Sequence, residues 1–358
     1  MRLSQFDKSL AARAKPAFAD VSKFGMDIPA PPQTVPQATP GTGFHWRQVA
    51  ANAGLVAVSL FLVATLSEIA LRLFYRNAFS QLEDERTLTY RYDSQLGWFP
   101  IPNSAKQFTG FRTISIKHNS NGFRDHEPST IDKPGIIFLG DSLVWGFDVE
   151  SQERFTDRIQ ARHPGWNVHN FGISGYGTDQ EYLVLQRYFD DYKPRVVFLV
   201  ICGDNDNEDN AWNFRGGYYK PYYKIENGGL KLKGVPVAKS EKVIFAEHKL
   251  LCRPYLVRLI VRVCCRCLNP RPIKSDDPPT GALILDMSAY VTKKGAVFAV
   301  GLQHSNAELE KFLKKFNIPF MDLTTTNATH YYPTYGNHWT PEGHAFVAGR
   351  IEEFLQRH

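Results

Sequence analysis

Cysteine is scarce and unevenly placed. The 358 residues hold five, too few, and one too many, for a disulfide framework. Cys202 lies in an apolar run and reads as a small core residue. Cys264, Cys265 and Cys267 crowd one segment, and Cys264 and Cys267 form a C-x-x-C. No second such pair and no histidine pair stands near it, which argues against a redox or zinc site. A strong charge imbalance is also missing: the formal net charge is +6, shared between an N-terminal tail and one arginine stripe. No basic region coincides with a nucleic-acid reading module, so that class of partner is excluded. What remains, 43% hydrophobic and 22% charged, is the composition of an ordinary globular protein. The length suits one large domain or two small ones plus appendages.

Charge is absent altogether from Gln48 to Ser67, between Arg47 and Glu68. Those 20 residues form a helix of about 30 Å at 1.5 Å per residue, the thickness of a bilayer's hydrocarbon. Leu55, Val56, Val58, Leu60, Phe61, Leu62 and Val63 make it apolar on every side, so one transmembrane helix is expected over 48–74. Ahead of it, residues 1–47 scatter six prolines among alanines and charges with no period of 2 or 3.6, the pattern of a disordered tail. The long tail argues against a cleaved signal peptide. Lys/Arg counts on the two sides do not decide orientation; large domains translocate largely regardless of charge, so the tail is expected inside and the C-terminal domain outside.

After a linker at 75–92 the pattern changes. Ile114-Ser115-Ile116 alternates like an edge strand and Asn121-Gly122 signals a turn. Short apolar runs then alternate with helical stretches: strands at Ile136–Leu139, Trp166–Asn170, Val196–Cys202, Ala296–Gly301 and Ile318–Asp322, and helices at Ser151–Arg162, Asp179–Tyr192, Leu283–Thr292, Asn306–Phe316 and Pro341–Arg357. Alternation of this kind predicts a three-layer α/β/α sandwich with a mainly parallel, flavodoxin-like sheet. An insertion over 207–280 interrupts it, with a β-hairpin around Asn227-Gly228 and a helix over Ile244–Leu268. The insertion follows a strand's C-terminal end, where ligands of open α/β sheets bind, so it is expected to roof the site.

Four dispersed segments carry the chemistry: Gly140-Asp141-Ser142, Gly172-Ile173-Ser174-Gly175, Gly203-Asp204-Asn205-Asp206 and Asn337-His338. Ester hydrolysis needs a hydroxyl nucleophile, a base for its proton and fixed donors for the developing oxyanion. Each segment alone has a plainer reading: Ser142 as a helix cap, Gly175 as a turn glycine, Asn205 as an Asx turn, His338 as a surface or core histidine. Asp141 and Asp206 read as braces of their loops.

Together with the trailing His338-Trp339-Thr340-Pro341-Glu342-Gly343-His344, the four segments resemble the SGNH/GDSL hydrolase family over about residues 93–358. Gly97-Trp98 and Gly122-Phe123-Arg124 resemble segments of its membrane-anchored bacterial type. The resemblance implies Ser142 as nucleophile and oxyanion donor, Gly175 and Asn205 as further donors, His338 as base, and no metal or organic cofactor. It also implies an acyl ester substrate, O-acetyl groups on a cell-envelope glycan among the candidates, and a periplasmic domain on a single-pass anchor. An O-acyltransferase and a non-catalytic glycan-binding protein are the rival readings. The family places an aspartate three residues before the histidine, and here that residue is Tyr335. A Ser–His dyad, a distant acid such as Asp322, or an impaired site are the three explanations.

Two features bear on ligands. Trp212, Phe214, Tyr218, Tyr219, Tyr222 and Tyr223 either stack on sugar rings or pack on one another. Arg258, Arg262 and Arg266 recur every four residues and share a helix face, which suits anionic headgroups, an acidic polymer or simply solvent.

Overall fold

The computed structural model describes residues 45–80, 85–128, 133–203, 205–333 and 337–356. The expected tail lies almost wholly outside them, as does Tyr335. The chain divides into two compact units, Met1–Val58 and Ser59–His358. The described part of the first is helical and belongs to α1 (Trp46–Phe74), which is long and apolar enough to cross a membrane. None of its residues is buried, although it is rich in Leu, Val and Phe.

The second unit is built on five parallel strands, β1 (Gly135–Gly140), β2 (Asn167–Gly172), β3 (Val196–Ile201), β4 (Val297–Leu302) and β5 (Phe320–Asp322), in the spatial order β5-β4-β3-β1-β2. Between them run α2 (Ser142–Trp145), α3 (Phe155–Arg162), α4 (Thr178–Tyr192), α5 (Tyr255–Leu268), α6 (Thr280–Lys293), α7 (Ala307–Lys315) and α8 (Pro341–Leu355). Successive side chains of a strand point to opposite faces, and the two cores show it. Ile137, Leu139, Val197 and Leu199 pack with Leu185, Ile284 and Met287 on one face; Ile136, Phe138, Phe198 and Val200 pack with Ile159, Val347 and Ile351 on the other. Both faces are covered, which is why β1, β3 and β4 read as unbroken apolar runs. The three-layer sandwich expected from the sequence is therefore present. Winding reverses between β1 and β3, and the crevice beyond their carboxyl ends is where such sheets bind ligands.

Three expectations are corrected. The segment foreseen as a linker carries short helices at Arg76–Ser80 and Glu85–Thr89 and, from Tyr90, the first strand of a hairpin; the second strand, Gly97–Pro100, lies beyond that segment, and its Trp98 and Phe99 sink into the core. The helix expected over Ile244–Leu268 is two helices, Glu241–Glu247 and α5, because Pro254 lacks an N–H and stands as N-cap of the second. The arginine stripe of α5 faces outward only at Arg266: Arg262 pairs with Glu241 at 2.7 Å, and Arg258 donates to the Phe79 carbonyl at 2.6 Å. Of the aromatic set, Tyr218 packs on Trp98 and Tyr223 on Tyr182, both buried, and Phe214 packs edge-on against Tyr219, so most of these rings serve packing.

Candidate active site

Ser142 opens α2 directly after β1. A serine there could have served as the cap, but Asp141 takes that role: its Oδ1 accepts from the Leu143 N–H at 2.9 Å. The hydroxyl is thereby released. Ser142 Oγ stands 2.7 Å from His338 Nε2, so the O–H can donate to the ring nitrogen although 196 positions separate the two residues. As the first helical residue, Ser142 also has a backbone N–H without an intrahelical acceptor.

α2 seats closely on β2. A Cβ on Gly172 would fall 2.6 Å from the Val144 carbonyl carbon, so the first glycine of the second segment permits that approach. Gly175 has φ +78°, a left-handed conformation that favours glycine. Its missing side chain leaves room for the Arg86 guanidinium, whose Cζ would lie 2.9 Å from a Cβ there. After β3, the Asn205 side chain donates one amide hydrogen to Asp141 Oδ2 at 3.1 Å. A primary amide has a second N–H to give. Asp141 thus ties the serine turn to Asn205, and Asp206 accepts from the Cys202 N–H at 2.7 Å, bracing the loop as foreseen.

His338 lies under the Phe147 ring, 4.7 Å between centroids and 16° from parallel. The next residue is Asp148, which sequence reasoning passed over. It is fully buried and adopts φ +61°, rare for a non-glycine residue and a conformation that costs about 1–3 kcal/mol unless the surroundings impose it. Here they do. Asp148 Oδ1 accepts from the Phe111 N–H at 2.9 Å, its carbonyl accepts from Tyr332 Oη at 3.1 Å, and the Tyr332 N–H donates to the His338 carbonyl at 2.9 Å. Among the described residues, its Oδ2 has no hydrogen-bond partner. Burial pushes the Asp148 pKa above the ordinary carboxylate value, while the Phe111 and Arg112 amides and the charges of His338 and Arg112 pull it back without cancelling that effect. The sequence signal was weak: an aspartate six residues after the serine, in no known spacing with the histidine.

Asp322 has a loop-bracing partner. It ends the edge strand β5, three strands from β1, and its Oδ1 accepts from the Thr324 N–H at 2.8 Å. His344, the second histidine of the trailing segment, is buried and accepts from the Phe155 N–H at 3.3 Å; burial and the nearby Arg154 hold its pKa well below the usual value. It is a core histidine. Beneath the site, Glu181 is buried with neither oxygen hydrogen-bonded among the described residues, and burial plus Asp206, Asp141 and Asp179 raise its pKa well above normal.

One group of metal-type donors stands among the described residues. Asp125 Oδ1 lies 3.1 Å from His126 Nδ1, and Oδ2 lies 3.3 Å from His169 Nδ1. Burial alone would raise the Asp125 pKa, but the two imidazoles outweigh it and lower it; the bond to Asp125 raises that of His126. Hydrogen bonding accounts for the geometry.

The model of the GDSL-like lipase/acylhydrolase family matches residues 138–346, more than half of the chain and all four segments. The chain belongs to this family. GDSL-like proteins are typically esterases and acylhydrolases, so hydrolase chemistry is the general expectation. Solved structures similar to the chain include a lipolytic protein of the G-D-S-L family from Desulfitobacterium hafniense, with 10% identity, 62% of this chain and 99% of that one covered, and a TM-score of 0.36. Another, from Veillonella parvula, shows 15% identity, coverage of 63% and 99%, and a TM-score of 0.39. The psychrotrophic esterase EstA from Pseudoalteromonas sp. shows 10% identity, coverage of 63% and 98%, and a TM-score of 0.35. No curated protein is similar enough to the chain to count as a match.

Proposed function

We propose that this GDSL-family protein is a membrane-anchored serine esterase in which Ser142 is the nucleophile and His338 the base. The observation that carries the reading is the 2.7 Å approach of Ser142 Oγ to His338 Nε2 at the carboxyl edge of the sheet. His338 takes the hydroxyl proton as Oγ attacks the ester carbonyl. The Ser142 and Gly175 N–H groups and the second Asn205 amide hydrogen stabilise the tetrahedral oxyanion, preorganised donors of the kind that dominate acyl transfer. Arg86, lying against Gly175, adds a positive charge nearby. The imidazolium returns its proton to the leaving alcohol, and water, deprotonated by His338, releases the acyl group from Ser142.

Asp148, rather than Asp322, is the acid we assign to His338. It is held in place by Phe111 and Tyr332, and its charge interacts with the imidazole. It would stabilise the imidazolium formed in each step, the role an aspartate plays in other serine triads. We assign α1 as a single membrane span with the catalytic domain outside the cytoplasm, and an O-acylated envelope glycan as the substrate.

A serine-directed phosphonate tests the reading. The full chain should be labelled and should hydrolyse aryl acetates; Ser142→Ala and His338→Ala should lose both properties. Labelling that survives Ser142→Ala overturns the nucleophile. Product analysis with and without a glycan acceptor separates hydrolysis from transfer, and protease accessibility of the domain in intact cells tests its side of the membrane.

A further inference from the structure

Helix α5 is inside out. In an ordinary surface helix the apolar stripe faces the core and the charges face water. Here the first two arginines of the polar stripe are turned inward, while Arg266, at the last turn, is exposed: Arg258 donates to the Cys252 and Phe79 carbonyls, and Arg262 pairs with Glu241 and donates to the Ala78 carbonyl. The face left outside carries Ile260, Val263, Cys264, Cys267 and Leu268, all exposed, at spacings of three and four that place them in one row. Ile260 is 54%, Val263 50% and Leu268 83% exposed. No residue of the helix is buried.

The start of α5 is tied to the end of the uncharged run in α1. Glu68, the first charged residue after that run, accepts from the Tyr255 and Leu256 N–H groups at 2.9 Å each. A carboxylate at a helix N-terminus satisfies orphan donors and suits the helix dipole. Arg72 donates to the Arg253 carbonyl at 3.3 Å and lies 4.7 Å over the Tyr255 ring. If α1 spans the bilayer, the first charge beyond its apolar run marks the hydrocarbon boundary. The amino end of α5 then sits at that boundary, with Tyr255 at the depth where interfacial aromatics gather.

We propose that α5 is an in-plane membrane helix, its Ile260–Leu268 face immersed in the leaflet where α1 ends. The occupant of this face is lipid, which explains why arginines satisfy carbonyls and a glutamate on the inner side while leucine, isoleucine and valine are left outside. The inference rests on the reading of α1 as a span, and it gives the catalytic domain a second attachment that fixes its orientation on the membrane.

The test uses the full chain, every cysteine but the labelled one replaced by serine, in phosphatidylcholine–phosphatidylglycerol vesicles, carrying a nitroxide at Cys264 or at Ile260→Cys, and, as a reference, at the exposed Lys311→Cys. Collision rates are measured with oxygen, which concentrates in lipid, and with a water-soluble nickel chelate. The oxygen-to-nickel ratio at positions 260 and 264 should exceed that at 311 several-fold. A ratio equal to that at 311 would place the face in water and overturn the proposal. So would spin–spin broadening that disappears on dilution with unlabelled chain, because the face would then be covered by a second copy. Carbonate extraction separates the two readings: release of the chain from the vesicles refutes the span and the helix placement together, whereas a retained chain with a water-like label refutes only the helix placement.

Discussion

Replacing Asp148 by asparagine removes one charge and little else. Asparagine is among the residues that best tolerate the left-handed backbone which Asp148 adopts at φ +61°, and its Oδ1 can still accept from the Phe111 N–H. The fold should survive, with the melting temperature little changed. Opposite charges move each other's pKa, and the charges of Asp148 and His338 interact; at an effective dielectric of about 20 such a pair is worth on the order of 1–3 kcal/mol, about one to two pKa units. The groups facing this pair are Arg112, with its partner Glu153, Tyr332, and His344 beyond His338, and none of them changes. Asp148→Asn should therefore lower kcat about 10-fold to 100-fold with KM nearly constant, and should move the acidic limb of the pH–rate profile down by about one to two units, because an imidazolium without its anion loses its proton more easily. Aryl acetate hydrolysis by the detergent-solubilised chain, followed from pH 5 to 9, reads both. An unshifted limb with unchanged kcat refutes the assignment of Asp148, leaving Ser142 and His338 untouched.

Further outcomes follow from the same geometry. Asn205→Ala should cost about 10²–10³ in kcat, the usual loss for one oxyanion donor, and steady-state kinetics beside a thermal melt will show whether stability is spared. Gly172→Ala forces a methyl into the backbone of α2 and should destabilise the domain by about 1–3 kcal/mol, read by urea unfolding, with phosphonate labelling reduced as α2 is displaced. Glu181→Gln should raise stability at neutral pH: the folded pKa lies above the ordinary 4.5, so folding must keep a proton there that the unfolded chain releases. The gain should shrink as pH falls and vanish below about 4.5, and melts from pH 4 to 8 test it. The Asp125–His126–His169 set should stabilise most between the lowered Asp125 pKa and the raised His126 pKa. Its contribution should be lost as pH falls through the first or rises through the second, and Asp125→Asn should flatten that dependence.

Much of the protein was legible in the chain itself. Apolar runs buried on both faces, alternating with helical periods, determined the parallel sheet, because a strand covered by helices on two sides cannot carry charge. The four dispersed segments were legible because a nucleophile turn and oxyanion donors demand small or amide residues directly after strands. The absence of charge over 48–67 marked the apolar helix, since water-free surroundings tolerate no such residue cheaply. Tertiary structure alone decided what depends on neighbours distant in sequence. It let Asp141 displace Ser142 from the cap and delivered His338 to the freed hydroxyl. It also set Asp148 beside that imidazole from a position no spacing rule marks, by stacking Phe147 on the ring and clamping the aspartate with Phe111 and Tyr332. The same holds for α5. Its period shows two faces, one basic and one apolar, but which of them turns inward depends on Glu241, Phe79 and Ala78, whose carboxylate and carbonyls were placed there by folding.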